Sequence, residues 1–165
     1  MTLRVRRAGP GDFETVLALI DGLADYESLT PPDAAGRERL REEMAAPAPR
    51  IEVLLAEIGE TAVGYAAFFE TFSTFTAWPK LYLEDIFVTP NARGSRAGYA
   101  LFRELARVAV ERGYDAIEWE VLDWNRLAID FYERIGGVHQ QKWLVYQLSR
   151  EGIDALFRDE AAGER

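Results

Sequence analysis

Residues 80–112 constrain the fold most. Leu81, Leu83 and Phe87 alternate with Tyr82, Glu84 and Ile86, which predicts a strand over Lys80 to Val88 with Glu84 and Asp85 in its middle. A turn with Pro90 and Asn91 follows, then the basic loop Arg93-Gly94-Ser95-Arg96-Ala97-Gly98. From Tyr99 an amphipathic helix runs to about Arg112. A strand that feeds a glycine-bearing loop into a helix start is a natural anion site. The first N–H groups of the helix lack intrahelical acceptors, and the helix dipole favours negative charge there. The stretch therefore reads as a seat for a phosphorylated ligand beside a proton acceptor.

The remaining pattern is strand and helix in turn. Leu3 to Arg7 alternates as an opening strand, and Asp12 is placed to cap a helix over Asp12 to Glu27. Asp33 is placed to cap a second, more polar helix that ends near Met44. Ile51 to Glu57 and Ala62 to Phe69 predict an antiparallel hairpin around Gly59-Glu60, and Glu70 to Pro79 a loop. Gly113 is a helix stop before a strand over Asp115 to Val121, parallel to the one at Lys80. Asn125 to Ile135 predicts a shorter helix, Trp143 to Leu148 a last strand, and Ser149 to Phe157 a helical turn. A polar tail from Arg158 is expected to fray. The sum is one α/β domain over residues 1–157, its sheet mixed, antiparallel first and parallel in the middle.

Composition narrows the function. The single histidine, His139, reads as a surface loop residue and leaves no imidazole triad or cluster, and the absence of cysteine excludes disulfides and thiolate zinc sites; no metal is expected. A formal net charge of -9 argues against nucleic acid as a partner and favours cationic substrates, or serves solubility alone. No apolar run reaches a membrane span, and the first residues lack the apolar core of a secretory signal, so a cytoplasmic protein is expected. The loop is neither a Walker A loop, since no Gly-Lys-Ser/Thr follows, nor a Gly-x-Gly-x-x-Gly dinucleotide turn.

Arg93 to Gly98 resembles the Arg/Gln-x-x-Gly-x-Gly/Ala loop of the GNAT acyltransferases. Asn125-Arg126-Leu127-Ala128-Ile129-Asp130-Phe131-Tyr132 resembles their Asn-x-x-Ala/Ser-x-x-Phe-Tyr helix. The order of elements agrees from Leu3 to Leu148. The stretches from Leu17 to Glu27 and from Leu81 to Val88, with Trp124-Asn125, are most similar to the diamine (spermidine/spermine-type) N-acetyltransferase branch. The resemblance implies a GNAT-like fold: a central mixed, mostly antiparallel sheet with a parallel splayed pair, flanked by helices. It implies acetyl-CoA as co-substrate, a small cationic amine as acceptor and a homodimer, with contacts near Lys142-Trp143. An amino acid, an antibiotic amine or a protein lysine is the alternative acceptor, and a CoA-binding module of weak activity the alternative class.

The resemblance also distributes roles. Arg93, Gly94, Ser95, Arg96, Ala97, Gly98 and Tyr99 would wrap the pyrophosphate. Backbone groups of Ile86, Phe87 and Val88 would hold the pantetheine and the thioester oxygen. Asn125 and Ala128 would meet the pantetheine arm, unless Asn125 serves only as an N-cap. Glu84 is the expected base, through a water, and Tyr132 the expected acid for the leaving thiolate or a hydrogen-bond donor to the sulfur. Their alternatives are a merely paired acid and a core aromatic. Tyr26, Glu27, Glu84 and Trp119 would line the amine pocket, with Trp78 and Trp119 either cation–π partners or packing residues. Strand alternation sends Glu84 and Asp85 to opposite faces, so only one of them is expected to meet the substrate. The family has glycine where Arg96 stands, and Arg96 is expected to keep an ordinary φ.

Overall fold

The computed structural model describes residues 2–163. They form two compact units, one ending at Glu120 and the other beginning at Val121. The first holds β1 (Leu3–Arg7), α1 (Phe13–Glu27), α2 (Ala34–Ala45), β2 (Glu52–Ile58), β3 (Thr61–Ser73), β4 (Trp78–Val88), α3 (Ala97–Arg112) and β5 (Ile117–Trp119). The second holds α4 (Arg126–Arg134) and α5 (Arg150–Gly163).

The five strands form one sheet in sequence order. The first four are antiparallel neighbours, and β5 joins β4 in parallel. The parallel pair is thus at the sheet edge, not in its middle. A strand that returns parallel needs a crossover, and α3 supplies it. The hairpin β3–β4 is longer than its sequence suggests: the predicted loop over Glu70 to Pro79 shrinks to Thr74–Ala77, and its flanks pair down to Ser73 and Trp78.

Alternation splits the strand residues between two apolar layers. Val53, Leu55, Tyr65, Ala67 and Phe87 pack with Val16 and Leu19 of α1. Their neighbours Leu54, Ala66, Phe68, Leu81 and Leu83 are buried on the opposite face, where α3 lies with buried Leu101, Phe102, Leu105 and Val108. The spacing of those α3 residues is the stripe that a 3.6-residue repeat requires. Gly113 closes α3 at φ 69°, a conformation that costs glycine nothing.

Three local expectations change. Asp12 does not cap α1 with its side chain; it accepts from the Gly9 N–H at 2.7 Å and from Arg6 at 2.7 and 2.8 Å. The guanidinium next door outcompetes the helix for the carboxylate. Asp33, with no such rival, caps α2 by accepting from the Gly36 N–H at 2.7 Å. Residues 143–148 are exposed and form no strand, because they join no ladder among the described residues. β-propensity describes fit to a neighbour, and without one this segment makes no strand; the Trp143 N–H bonds the Gln140 carbonyl at 3.0 Å instead. Helix α5 exceeds the single turn predicted over Ser149 to Phe157 and continues past Arg158; residues 164 and 165 lie outside the described residues.

Candidate active site

The loop before α3 has the form of an anion cradle. Gly94 sits at φ 85°, and a Cβ built there would meet no atom within 4 Å, so the space beside it is open. Ser95 Oγ accepts from the Ala97 N–H at 3.3 Å. Gly98 and Tyr99 follow in the first turn of α3, where N–H groups have no intrahelical acceptor. Arg96 departs from expectation: it takes φ 72° and ψ 10°, the left-handed conformation that glycine adopts without strain. The loop geometry prevails over the side-chain preference, at a cost of about 1–2 kcal/mol. The Arg96 guanidinium lies 5.9 Å from the centre of the Tyr99 ring. Arg93 lies 4.6 Å from the centre of the Tyr26 ring, which joins the loop to the end of α1.

The acids next to that junction do not follow simple alternation. Ala67 pairs with Asp85 but Phe68 pairs with Leu83, so the ladder slips at Glu84, the extra residue of a β-bulge. The bulge turns Asp85 to the α1 side, beside Tyr65 and Phe87. The Tyr65 hydroxyl donates to Asp85 Oδ2 at 3.2 Å. Burial and the charges of Asp85, Glu27 and Glu84 push the Tyr65 phenol far above its ordinary value. The two neighbouring acids are therefore not separated by the strand: one phenol feels both, and Glu27 from the end of α1 as well.

All three carboxyls are pushed above the usual carboxylate range. For Glu27 the cause is burial. For Glu84 it is burial first, then the charges of Asp85 and Glu120. For Asp85 burial outweighs the lowering effect of the Tyr65 hydrogen bond, and Glu27 adds to the rise. Among the described residues none of the three forms a salt bridge.

Beside them, β4 and β5 stay paired only from Leu81↔Ile117 to Leu83↔Trp119. β4 continues to Val88 without β5, so among the described residues one edge of Ile86, Phe87 and Val88 has no ladder partner there. The Phe87 side chain is in the α1 core, which leaves its backbone as the part that can meet a ligand. Trp119 packs edge-to-face on Phe102 of α3, ring centres 5.2 Å apart. That is the α3 layer, on the face of the sheet opposite α1. Trp78 is exposed at the hairpin end. A cavity of about 360 Å³ also lies at that end, lined by Phe72, Phe75, Lys80, Tyr82 and Glu118 among others; it does not reach Glu27 or Asp85. Tyr82 donates to Glu120 at 3.0 Å, and its phenol is pushed up to about 12 by burial and by that bond.

In the second unit Asn125 is buried and caps α4, its side-chain oxygen accepting from the Ala128 N–H at 3.2 Å. Tyr132 lies in α4 with its ring 5.6 Å from that of Phe131.

Over residues 19–137 the chain matches the Acetyltransferase (GNAT) family. The protein is a GNAT acetyltransferase. This GNAT chain is 35% identical to a thialysine N-epsilon-acetyltransferase from Sus scrofa, over 92% of its own length and 95% of the relative's. It is 26% identical to a human spermidine/spermine N(1)-acetyltransferase-like protein, over 91% of its length and 23% of that protein's. Both likenesses agree with the diamine branch. An integron cassette protein from the mobile metagenome of V. cholerae shares the fold, with a TM-score of 0.78 and 20% identity over 94% of this chain and 98% of that one. Acetyltransferases of this family use acetyl-CoA as co-substrate, and the open Gly94 cradle, the start of α3 and the two loop arginines fit its pyrophosphate. Sequence reasoning left out Tyr65 at this site, and named Asp85 only as the acid expected to face away from Glu84. The one signal for Tyr65 was a hydroxyl within the apolar run Ala62 to Phe69.

Proposed function

We propose that this enzyme moves the acetyl group of acetyl-CoA to a primary amine of a small cationic substrate, polyamine- or diamine-like, by direct attack in a ternary complex. One observation supports this above the others: Asp85 takes the buried Tyr65 hydroxyl at 3.2 Å, the charges of Glu27 and exposed Glu84 act on the same phenol, and none of the three acids has a salt-bridge partner among the described residues. Uncompensated carboxylates are held together at a free-energy cost, which a cationic ligand removes.

The chemistry follows from those groups. A primary amine has a pKa of roughly 10 and arrives protonated. Glu84, its proton affinity raised by burial and by Asp85, takes that proton through a water. The freed nitrogen attacks the thioester carbonyl and a C–N bond forms; the C–S bond then breaks and the thiolate leaves. Tyr132 gives the thiolate its proton, a role carried by the family motif, and the second proton shed by the nitrogen passes through water to restore the phenol. Backbone N–H groups of Ile86 to Val88 steady the oxyanion. Arg93 to Tyr99 hold the pyrophosphate, while Asn125 and Ala128 meet the pantetheine. Tyr26 and Glu27 complete the amine site. The working protein in this reading is a cytoplasmic homodimer of a single domain over residues 1–157.

The likeness to a thialysine N-epsilon-acetyltransferase favours a second acceptor, the side-chain amine of an amino acid. Thiol release from acetyl-CoA, measured across diamines, polyamines and lysine-like amino acids, separates the two. Release with diamines or polyamines supports the first acceptor, and release with amino acids alone supports the second. CoA binding without transfer to any amine contradicts both.

A further inference from the structure

We propose that Tyr65 is a positioning residue for the acceptor: its phenol fixes the Asp85 carboxylate as an anion whose second oxygen faces the incoming ammonium. The inference rests on the amine-acetylating reading above and adds a residue to it.

Three observations support it. Tyr65 is fully buried in the α1 layer, where phenylalanine would pack as well; only the hydroxyl needs explaining. That hydroxyl is spent on Asp85 Oδ2 at 3.2 Å. The β-bulge at Glu84 brings Asp85 to that hydroxyl, since uninterrupted alternation would turn it away. A buried carboxylate among like charges tends to take up a proton and lose its attraction for a cation. A donor locked on one oxygen opposes this and fixes the rotamer. The titratable groups facing Asp85 are Tyr65 from β3, Glu27 from α1 and Glu84 from its own strand; the charge of Arg93 lies on the neighbouring Tyr26 ring. Tyr65 alone among them lowers the Asp85 pKa.

The test compares wild type, Tyr65→Phe, Asp85→Asn and the double variant, with 1,4-diaminobutane or the best amine found above. Tyr65→Phe is expected to raise KM for the amine about tenfold, the scale of one charge-assisted hydrogen bond, with KM for acetyl-CoA unchanged and kcat within about twofold. Losing the donor raises the Asp85 pKa, so the acid limb of kcat/KM moves to higher pH. Carbon-13 NMR of the Asp85 carboxyl should show the same upward move without any substrate. In the Asp85→Asn background the Tyr65 change should add nothing. A Tyr65→Phe enzyme with unchanged amine KM and an unmoved Asp85 midpoint would overturn the proposal while leaving acetyl transfer standing. If Tyr65→Phe does not fold, Asp85→Asn decides alone, and wild-type amine KM in that variant overturns it. A wild type that acetylates no amine overturns this proposal and the functional reading together.

Discussion

Two groups of acids at opposite sides of the first unit's sheet, on it or against it, are treated in opposite ways. At the β1–β2 side, buried Glu57 accepts from Arg4 at 2.6 and 3.0 Å and from Arg6 at 2.8 Å, and Arg6 also holds Asp12. The guanidiniums hold Glu57 below the usual carboxylate range and bring Asp12 to about 2. At the β3–β4 side, Glu27, Glu84 and Asp85 have one another and a phenol, and all three are raised. The first group is complete within the chain and serves the fold. The second has no counter-cation among the described residues, and in the function proposed above the amine supplies it. The opposite directions of the pKa shifts follow from that difference in partners.

Glu84→Gln should break the comparison most visibly. Losing a general base lowers kcat by roughly 100-fold or more. Removing a crowded charge should leave the melting temperature unchanged or raised, and steady-state kinetics with a melting curve check both. Glu57→Gln should do the reverse: unfolding in urea should show a loss of about 2 kcal/mol, the scale of hydrogen bonds to a charged group, with kcat unchanged. A drop in kcat, or no loss of stability, would erase the distinction.

The pH dependence of stability sharpens the contrast. Glu57 and Asp12 have depressed values when folded. Their stabilisation is present above the unfolded values near about 4 and is lost as pH falls through the folded ones. Glu27, Glu84 and Asp85 have raised values, so the folded state gains stability as pH falls through them. Acidification from neutrality should first hold or raise stability, then lower it steeply below about pH 4. Asp85→Asn should flatten the first phase alone, as followed by melting temperature against pH.

The smallest expected effect lies in the loop. Arg96→Gly removes a left-handed φ from a residue with a side chain and should stabilise the fold by about 1 kcal/mol, read by urea unfolding. CoA binding should survive the change.

These contrasts explain what the sequence made legible. The strand–loop–helix at residues 80–112 was readable because alternation, glycine and a 3.6-residue stripe are local signals, and the structure builds each of them there. The parallel return of β5 followed from the crossover. The bulge at Glu84 was not readable, because it depends on the register between β3 and β4, which neither strand carries alone. Asp85 was therefore assigned to the wrong face and Tyr65 passed over. Asp12 does stand at the N-cap position of α1, but its side chain does not cap, for a similar reason: its competitor Arg6 meets it through the fold. Residues 143–148 had the pattern of a strand, but a pattern cannot supply a partner.

The most direct measurement is calorimetric titration of a small diamine, with acetyl-CoA replaced by CoA, into wild type, Glu57→Gln and Asp85→Asn proteins. Wild type and Glu57→Gln should bind the diamine alike, and Asp85→Asn about tenfold more weakly. Equal binding by all three would contradict the claim that the unpaired acids beside Tyr65 receive the amine.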